Sequence, residues 1–458
     1  MIPNSLEARD INNLFHPATN LRNLIQDGPL VIKEGKGVFV RDNKGREYLE
    51  GLAGLWCTSL GYGVEELADA AREAMATMGF AHLFGGRSHE SAIELAEKIN
   101  VISPIGKGKV FFGTSGSDAN DTQIKIIRYY FNAIGKPEKK TIIAHNRGYH
   151  GVGIGSGSLT GIPVNHNMFD LPIDGVAHTR CPHFYHEAEP GETEKEFSSR
   201  LARELEELIS KLGSEKIAAF IAEPILGAGG VVVPPKTYYE KVQEVLRRHE
   251  VLLIDDEVIC GFGRTGNVFG AETLDMVPDT VSIAKALSSG YLPLSAVIIP
   301  DRMYDTLVEP SASNGVFGHG YTYSGHQVSC AVANRTLDLY NEWGVFDHVS
   351  SVSEDFQARL RTFSNHPLVG EARGAGLMGA VEFVQNKSTK SSFSPAGLVG
   401  QYCLARCLDH GLILRALSDT IAFCPPLVIT SDEIEELFKR FTKALDETWK
   451  WVQETNNL

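Results

Sequence analysis

Two ionisable residues at the ends of apolar segments, Lys285 and Asp256, are the first in this sequence to suggest chemistry. Lys285 closes the apolar stretch 279–285, and Asp256 ends the apolar run 251–256. Apolar runs of this length are typical of buried strands in a parallel sheet. Because the carboxyl ends of parallel strands meet at one edge of the sheet, the lysine and the acid can converge on a single crevice.

A lysine and an acid placed in this way suit a carbonyl cofactor such as pyridoxal phosphate. The lysine amine holds the cofactor as a Schiff base, and the acid keeps the pyridine nitrogen protonated so that the ring can accept electrons. The pair alone does not establish this chemistry, because a lysine after an apolar run is more often a surface charge at the end of a strand.

A segment of small residues, Ser-Gly-Ser-Asp-Ala-Asn-Asp at 115–121, follows the apolar run 109–113 and precedes a helical pattern. At such a turn the free backbone N–H groups and the helix dipole can bind an anion such as phosphate. An ordinary helix cap would use the same residue types. No GxxxxGK[ST] segment occurs in the sequence, which argues against a nucleoside triphosphate.

Two GxGxxG segments, at 261–266 and 374–379, keep an NAD(P)-dependent dehydrogenase open as an alternative. Neither segment has the strand–turn–helix context of a dinucleotide site, so we expect both to be turns or bulges. The sequence contains no HExxH segment, no GxSxG elbow and no metal-like spacing of histidine and acid residues. These absences argue against a hydrolase and against a metalloenzyme.

Four further polar residues lie where a cofactor or a substrate could use them, and each has an ordinary structural alternative. Tyr149, in a glycine-rich segment, offers an aromatic face, and Glu223 follows an apolar run. Arg415 lies in an otherwise apolar strand, where it either pairs with an acid or clamps a carboxylate. Thr322 is either an ordinary loop hydroxyl or a phosphate donor.

The composition limits the partners and the location that we expect. The 458 residues include 43 basic and 57 acidic side chains, giving a net charge of -14, and form no long basic block. This balance argues against nucleic acid or an anionic membrane as a partner. The seven cysteines lack zinc-like spacing, and no apolar stretch reaches the length of a membrane span. We therefore expect a cytoplasmic protein with reduced thiols.

The apolar runs predict an α/β fold. Helical patterns separate six candidate strands of a parallel sheet, at 109–113, 141–144, 217–222, 251–255, 280–284 and 294–299. After about residue 330 the pattern changes to that of a smaller α+β domain, with helices at about 327–342 and 394–410 and strands at 376–384, 411–416 and 420–423. A capping box at 430–433 predicts the start of a final helix.

Taken together and in this order, these segments resemble the class III aminotransferases of fold type I. The likeness is close to the omega-type amine:pyruvate (omega-amino acid:pyruvate) aminotransferases. The resemblance spans about residues 40 to 425, and its segments are SGSDAN at 115–120, GYHG at 148–151, AEP at 222–224, IDDEVICGFGRTG at 254–266, IAKAL at 283–287 and GYTYSG at 320–325. One departure is Asp118, where the family often has glutamate.

The resemblance implies a fold-type I architecture, with a mostly parallel seven-stranded sheet in a large domain and a smaller α+β domain. The implied division is an N-terminal segment, 1–54, that joins the small domain, a large cofactor-binding domain, 55–326, and a C-terminal small domain, 327–458. The implied cofactor is pyridoxal 5'-phosphate, and no metal ion is implied.

The resemblance also implies a role for each candidate residue. Lys285 would be the Schiff-base lysine that also moves the proton, and Asp256 would pair with the pyridinium nitrogen. The other cofactor contacts would be the phosphate ligands Gly116 and Ser117, Thr322 of the neighbouring subunit at the same phosphate, Tyr149 and Val258 on the two ring faces, and Glu223 near the 3'-oxygen. The substrate pocket would be walled by Leu55, Trp56 and Phe84, with Arg415 as the clamp for a carboxylate.

The implied activity is transfer of an amino group from a primary amine or omega-amino acid to pyruvate or a similar 2-oxo acid. It would run as a ping-pong cycle between pyridoxal and pyridoxamine phosphate, in a homodimer or dimer of dimers. An aminomutase, racemase or decarboxylase on the same scaffold stays open, as does a noncatalytic binding protein, although Arg415 favours a transaminase because it suits two kinds of substrate. The sequence does not choose among β-alanine, taurine, a diamine and an arylalkylamine as the donor.

Overall fold

A computed structural model describes residues 4–455, and over that range the chain forms sixteen α-helices. They are α1 (Leu6–Asn13), α2 (Leu21–Asp27), α3 (Ala53–Trp56), α4 (Glu65–Thr77), α5 (Glu90–Ile102), α6 (Gly116–Ala133), α7 (Ile154–Leu159), α8 (Phe184–Glu187), α9 (Glu194–Leu212), α10 (Tyr238–Arg248), α11 (Gly270–Thr273), α12 (Asp301–Ser313), α13 (Gln327–Glu342), α14 (Val345–Thr362), α15 (Leu398–Asp409) and α16 (Ser431–Thr455). None of these helices is long and apolar enough to cross a membrane.

Fifteen β-strands alternate with the helices in the same part of the chain. They are β1 (Ile32–Lys36), β2 (Phe39–Asp42), β3 (Glu47–Glu50), β4 (Gly108–Gly113), β5 (Thr141–His145), β6 (Val176–Thr179), β7 (Ile217–Ala222), β8 (Leu252–Asp256), β9 (Thr280–Ile283), β10 (Ser295–Pro300), β11 (Val369–Ala375), β12 (Met378–Phe383), β13 (Leu412–Ile413), β14 (Arg415–Leu417) and β15 (Thr420–Phe423).

Seven strands form the large sheet, in the order β4–β10–β9–β8–β7–β5–β6. The strands from β9 to β6 run parallel, whereas β10 is antiparallel to both β4 and β9. The expected mostly parallel seven-stranded sheet is therefore confirmed. Because β10 alone is reversed, β4 points the same way as β9, and the carboxyl ends of six strands meet at one edge, where α/β folds commonly bind ligands.

The central strands of this sheet are apolar along their whole length because helices cover both faces. All six residues of β7, Ile-Ala-Ala-Phe-Ile-Ala, are buried. The helix that follows, α10, buries Val242, Val245 and Leu246, and it packs on β8. This spacing of three and four residues is that of one helix face.

Two four-stranded sheets complete the fold, in the orders β1–β2–β3–β13 and β11–β12–β15–β14. β3 pairs in parallel with β13, so the N-terminal segment shares a sheet with the C-terminal part of the chain. This pairing supports an N-terminal segment that joins the small domain, although the boundaries after residues 54 and 326 stay predictions. Residues 1–3 and 456–458 of the predicted segments lie outside the described residues.

The predicted strand 411–416 is wrong as a single element. Its residues divide between β13, which pairs with β3, and β14, which pairs with β15 in another sheet. Apolar periodicity does not reveal this division, because one continuous apolar run supplies both strands. Arg415 is the first residue of β14.

Candidate active site

Lys285 and Asp256 lie at the edge of the large sheet where its parallel strands end. Asp256 is the last residue of β8 and is paired with Ser282 of β9. Lys285 comes two residues after β9 and begins the 3₁₀ turn Lys285–Ser288. Its φ of 47° lies in the left-handed region, an uncommon conformation for a residue with a Cβ. The backbone therefore brings the lysine and the acid to the same crevice.

Three donors hold the carboxylate of Asp256. The side-chain amide of Asn120 donates to Oδ2 at 2.7 Å, and Nδ1 of His150 lies 2.8 Å from the same oxygen. The backbone N–H of Val258 donates to Oδ1 at 3.2 Å. Because a carboxylate offers about four acceptor positions, Oδ1 retains room for one more hydrogen, such as that of a pyridinium nitrogen.

Lys285 and Glu223 both have shifted pKa values at this edge. Burial lowers the pKa of the Lys285 ammonium, and the charges of Asp256 and Glu223 oppose that shift. Burial raises the pKa of Glu223 to about 7, although its carboxylate accepts hydrogen bonds from the N–H groups of Tyr149 (2.8 Å) and Gly227 (2.9 Å). A lowered pKa makes the neutral amine, the form that acts as nucleophile and proton acceptor, more accessible than in an exposed lysine.

The first turn of α6 has the form expected of an anion cradle. Ser115 caps the helix, and its Oγ accepts a hydrogen bond from the N–H of Asp118 at 3.1 Å. The N–H groups of Gly116 and Ser117 therefore lie in the first turn, where a helix provides no acceptor for them. A Cβ at position 116 would lie 2.9 Å from Cγ1 of Val258, so the valine packs directly on this turn and glycine fits best there.

Asp118, the departure from the family pattern, binds groups at the end of β4 and the start of β10. Its Oδ2 accepts hydrogen bonds from the N–H and hydroxyl of Thr114, at 2.8 and 2.6 Å, and from the N–H of Ser115 at 3.1 Å. Its Oδ1 accepts one from the hydroxyl of Ser295 at 2.9 Å. The shorter acid thus completes the capping box of α6 and ties the helix to β10.

The loop after β5 places Tyr149 beside the cradle. The N–H of Val152 donates to Oγ of Ser117 at 3.1 Å, which ties this loop to the first turn of α6. Burial raises the pKa of the Tyr149 hydroxyl, and the positive charge of Arg415 acts in the opposite direction. Tyr149 therefore lies in a loop that is tied to the first turn of α6, and its hydroxyl is close enough to Arg415 for that charge to affect its pKa.

Arg415 has no acid partner. It is partly buried on β14, and in residues 4–455 its guanidinium forms neither a salt bridge nor a hydrogen bond with a side chain or backbone group. Burial lowers its pKa, which the nearby Tyr149 opposes. The sequence left two interpretations of Arg415 open, and the first of them, pairing with an acid, is not observed. The N–H donors of the guanidinium are therefore available for a carboxylate.

Leu55 and Trp56 lie in the segment labelled α3 (Ala53–Trp56), a single tight turn whose backbone angles are not those of a regular α-helix. The φ angles of Ala53, Gly54 and Trp56 are 50°, 66° and 64°. Such angles cost about 1–2 kcal/mol for each residue that carries a Cβ. Leu55 is exposed, whereas Trp56 is only 2% exposed and packs in the main core. The indole N–H of Trp56 has no hydrogen-bond partner in the described part of the chain.

Phe84 and Thr322 lie in two exposed segments that pack against each other. Phe84 belongs to the 3₁₀ turn Phe84–Gly86, and a Cβ on Gly320 would lie 2.4 Å from its ring. Thr322 is exposed in the turn that follows Gly320. Within a single chain, therefore, Thr322 faces solvent.

Sequence reasoning missed two residues of this site, Asn120 and His150, which hold Asp256. Both lie inside segments that the sequence singled out, 115–121 and 148–151. Each is a polar residue close in sequence to a candidate cofactor ligand, which was the signal available. Only the fold shows that the two side chains point at Asp256.

The two GxGxxG segments do not form a dinucleotide site. Residues 261–266 form consecutive turns, and the next helix, α11, is a single turn beginning at Gly270. Residues 374–379 form the hairpin between β11 and β12, with Gly374 paired to Gly379. Both are therefore turns, as expected from their context.

The donors and acceptors at this edge fit pyridoxal phosphate. A lysine with a lowered pKa, an anchored carboxylate and a helix N-terminus lie at this edge, and they match a carbonyl, a pyridinium nitrogen and a phosphate. Two buried atoms beside Asp256, Oδ1 of Asn120 and Nε2 of His150, have no partner within the described residues. These two atoms are therefore free to form hydrogen bonds with a bound group.

The sequence matches the aminotransferase class-III family over residues 24–445. It is 48% identical over 427 residues to gamma aminobutyrate transaminase 3, chloroplastic, of Solanum lycopersicum, covering 93% of this chain and 82% of that protein. It is 46% identical to a vanillin aminotransferase of Capsicum annuum, covering 93% of each. The fold superposes on the omega transaminase of Pseudomonas jessenii in complex with PMP with a TM-score of 0.97 at 46% identity, covering 98% of this chain and 99% of that one.

Proposed function

This chain belongs to the class-III aminotransferase family, and from that premise we propose that it transfers an amino group from a primary amine or omega-amino acid to pyruvate or a similar 2-oxo acid. The observation that carries the proposal is the guanidinium of Arg415, which lies near Tyr149 at the crevice of Lys285 and Asp256 and has no acid partner within residues 4–455. A relative named for γ-aminobutyrate supports a donor whose amine lies at the end of a chain, and a relative named for vanillin supports a pocket that admits an aromatic ring.

The cofactor is pyridoxal 5'-phosphate, which when bound supplies a conjugated ring that accepts the electrons released at the amine-bearing carbon. Asp256 would hold the proton of the ring nitrogen on Oδ1, because Asn120 and His150 already occupy Oδ2. The negative charge opposite that nitrogen keeps it protonated. Gly116 and Ser117 would bind the phosphate, Tyr149 and Val258 would contact the two ring faces, and Glu223 would lie near the 3'-oxygen.

Lys285 performs two tasks in this proposal. Its amine would carry the cofactor covalently, and once released it would move a proton from the amine-bearing carbon of the substrate to the cofactor carbon on the other side of the same nitrogen. Burial lowers the pKa of the amine, so the neutral form needed for both tasks is more accessible than in an exposed lysine.

Arg415 would let one crevice accept two kinds of substrate in turn, which supports a ping-pong order. The guanidinium would form a two-pronged ion pair with the carboxylate of the 2-oxo acid. For an amine donor without a carboxylate it has no partner to retain it and can move aside. Leu55, Trp56 and Phe84 would wall the remaining space.

We also propose that the active form is a homodimer, or a dimer of such dimers. In it, Thr322 of each chain reaches the first turn of α6 of the other chain, which we call the phosphate turn. Apolar side chains are exposed beside both surfaces: Val152 next to Ser117, and Phe80 and Tyr323 next to Thr322. Clusters of this kind are typical of interfaces.

Mixed dimers test the shared site. The Lys285→Ala chain and the Thr322→Asp chain are each expected to be poorly active alone, the second because the new carboxylate repels the phosphate. In a shared arrangement, their heterodimer regains one intact site. Failure of the mixture to recover activity, with heterodimers shown to form, would contradict the arrangement.

The visible spectrum tests the reaction itself. We expect purified protein to show a yellow absorption band that an amine donor bleaches and pyruvate restores, and Lys285→Ala to abolish the cycle. Bleaching that no 2-oxo acid reverses would point to other chemistry on the same cofactor. A colourless protein that binds NADH would overturn the proposal.

A further inference from the structure

A buried carboxylate lies directly behind the turn that carries Leu55 and Trp56. Glu50, at the end of β3, is 3% exposed and has no basic partner within residues 4–455. Its Oε1 accepts a hydrogen bond from the N–H of Leu52 at 2.9 Å, and its Oε2 accepts one from the N–H of Gly54. The hydroxyl of Tyr62 donates to Oε2 at 2.7 Å. The carboxylate thus binds the backbone on which the two wall residues depend.

The turn needs such an anchor because its backbone is strained. Ala53, Gly54 and Trp56 all have positive φ, and Leu55 between them lies outside the helical region. Strained angles of this kind persist only when surrounding contacts impose them. Other restraints act on the same turn, because the N–H groups of Trp56, Cys57 and Thr58 donate to the carbonyls of Leu52 and Ala53, and the side chains of Ala53 and Trp56 are buried.

We propose that Glu50 is a positioning residue that sets the selectivity of this enzyme for the size of the amine donor, by holding the 53–56 turn in the conformation that places Leu55 and Trp56. The inference rests on the proposed function, in which these two side chains wall the substrate pocket. Glu50 itself touches neither substrate nor cofactor.

The chemistry of the anchor requires a carboxylate. Both oxygens of Glu50 accept hydrogen bonds, and two of the three donors are backbone N–H groups. A glutamine has one oxygen, so its NH₂ group would face one of these donors and leave it without an acceptor. Since an unmet buried donor is unfavourable, the turn relaxes toward ordinary φ angles and the wall moves.

The selectivity at stake is between compact omega-amino acids and bulky arylalkylamines. A wall held in place limits the width of the pocket beside the reacting carbon. When it relaxes, a compact donor loses contacts that align it, whereas a bulky donor gains room. The two donor classes should therefore respond in opposite directions, which a general loss of stability would not produce.

The test compares Glu50→Gln with wild type, using the smallest and the largest donor that wild type accepts among β-alanine, γ-aminobutyrate, benzylamine and 1-phenylethylamine. We expect the ratio of kcat/KM for the large over the small donor to rise about tenfold, which corresponds to about 1.4 kcal/mol. Tyr62→Phe, which removes one donor and keeps the ring, should move the ratio the same way by a smaller factor. The visible band of the bound cofactor should not change.

Two further variants separate the possible failures. Tyr291→Phe is the matched control, because this tyrosine hydroxyl bonds only the neighbouring backbone at Gly61 and Val64 and should leave the ratio unchanged. Trp56→Ala alters the wall directly. If it shifts the ratio while Glu50→Gln and Tyr62→Phe lower kcat/KM equally for both donors, the positioning role is wrong. If Trp56→Ala leaves the ratio unchanged, the proposed wall itself fails, and the inference fails with it.

Discussion

The two sides of the crevice are built differently. On the cofactor side every proposed acid is fixed by hydrogen bonds: Asp256 has three donors, and Glu223 accepts from two backbone N–H groups. On the substrate side, Leu55 and Phe84 are exposed, and Arg415 has no partner within the described residues. The groups that would act on the cofactor are preorganised. On the substrate side the backbone of the 53–56 turn is held by hydrogen bonds, whereas the side chains of Leu55, Phe84 and Arg415 are free to adapt.

This difference matches the two demands on a transaminase. The charge that develops on the cofactor is the same for every substrate, so fixed dipoles and charges stabilise it without reorganisation. Two unlike substrates must then use the remaining space in turn, so the group that binds only one of them, Arg415, must be able to move. Variants on the cofactor side should therefore affect all substrates alike, and variants on the substrate side should discriminate among them.

The largest effect is expected from Asp256→Asn, which keeps the shape and removes the charge opposite the ring nitrogen. Loss of one preorganised electrostatic group typically lowers kcat by about 10²–10³-fold. We expect a loss of this size for every donor and acceptor pair, measured by steady-state kinetics with the cofactor saturating. A loss confined to one substrate class would contradict the claim that variants on the cofactor side affect all substrates alike. Asn120→Ala, which removes one of the anchors, should cause a smaller loss of the same uniform kind.

Arg415→Gln should act on one substrate class only. A hydrogen bond to a charged group contributes about 1.5–3 kcal/mol, so kcat/KM for pyruvate should fall about 10–100-fold. The half-reaction with a donor that lacks a carboxylate should keep its rate. This rate can be measured in single turnovers from the bleaching of the visible band. Arg415→Lys keeps the charge without the planar guanidinium, so its kcat/KM for pyruvate should lie between those of wild type and Arg415→Gln. An equal loss in both half-reactions would place Arg415 on the fixed side instead.

Gly116→Ala should weaken cofactor binding while sparing the chemistry. The added Cβ would lie 2.9 Å from Cγ1 of Val258 and would push the phosphate turn and the valine apart. Because the phosphate is bound equally in the ground and transition states, we expect the Kd of the cofactor to rise about tenfold and kcat at saturation to stay the same. The double variant Gly116→Ala/Val258→Ala should recover part of the lost affinity. Equilibrium dialysis can measure the Kd of the cofactor in the single and the double variant.

The smallest effect on activity, but a distinct effect on stability, is expected from His183→Gln. Arg147, two residues before Tyr149, donates to Nδ1 of His183 at 2.9 Å, and Nε2 of His183 lies 2.8 Å from Glu371 of β11. This chain of contacts fastens the cofactor-side loop to the C-terminal sheet. Burial lowers the pKa of His183 to about 4 from 6.5, so the folded protein binds fewer protons than the unfolded protein between these values.

The stabilising contribution of His183 is therefore fully present above about pH 6.5 and is lost as the pH falls toward 4. At pH 5 the loss is about 2 kcal/mol in the free energy of unfolding. Glutamine does not titrate, so urea unfolding of His183→Gln should weaken less between pH 7 and pH 5 than that of wild type. Equal weakening in the two proteins would show that other groups carry the acid sensitivity.

Much of the large sheet and of its polar edge could be predicted from sequence. Because β7, β8 and β9 are buried on both faces, their apolar runs end where the polar residues Glu223, Asp256 and Lys285 begin, and the ends are visible in the sequence. The reversal of β10 could not be read in this way, since the apolar run of a central strand looks the same in either direction. Neither could β6, Val-Ala-His-Thr, because its polar residues hide the strand.

The contacts across the site were less accessible to sequence reasoning. The anchoring of Asp256 by Asn120 depends on which face of α6 meets the sheet, and the role of Glu50 depends on the folding back of a turn four residues away. The unpaired state of Arg415 depends on the boundary between two short strands. In each case the decisive fact is a side-chain direction, which residue spacing alone does not determine.

The reversed strand β10 also has a consequence for how the protein is made. β4, which leads into the phosphate turn, pairs in the large sheet only with β10, and Lys109 faces Ile299 across that pair. A ribosome must therefore synthesise well beyond the lysine at 285 before the strand below the phosphate turn has a neighbour. Until then β4 has no strand partner in this sheet on either edge and can pair with other chains. The crevice becomes complete late in translation, so the cofactor has no finished site to enter on a chain that ends before β10.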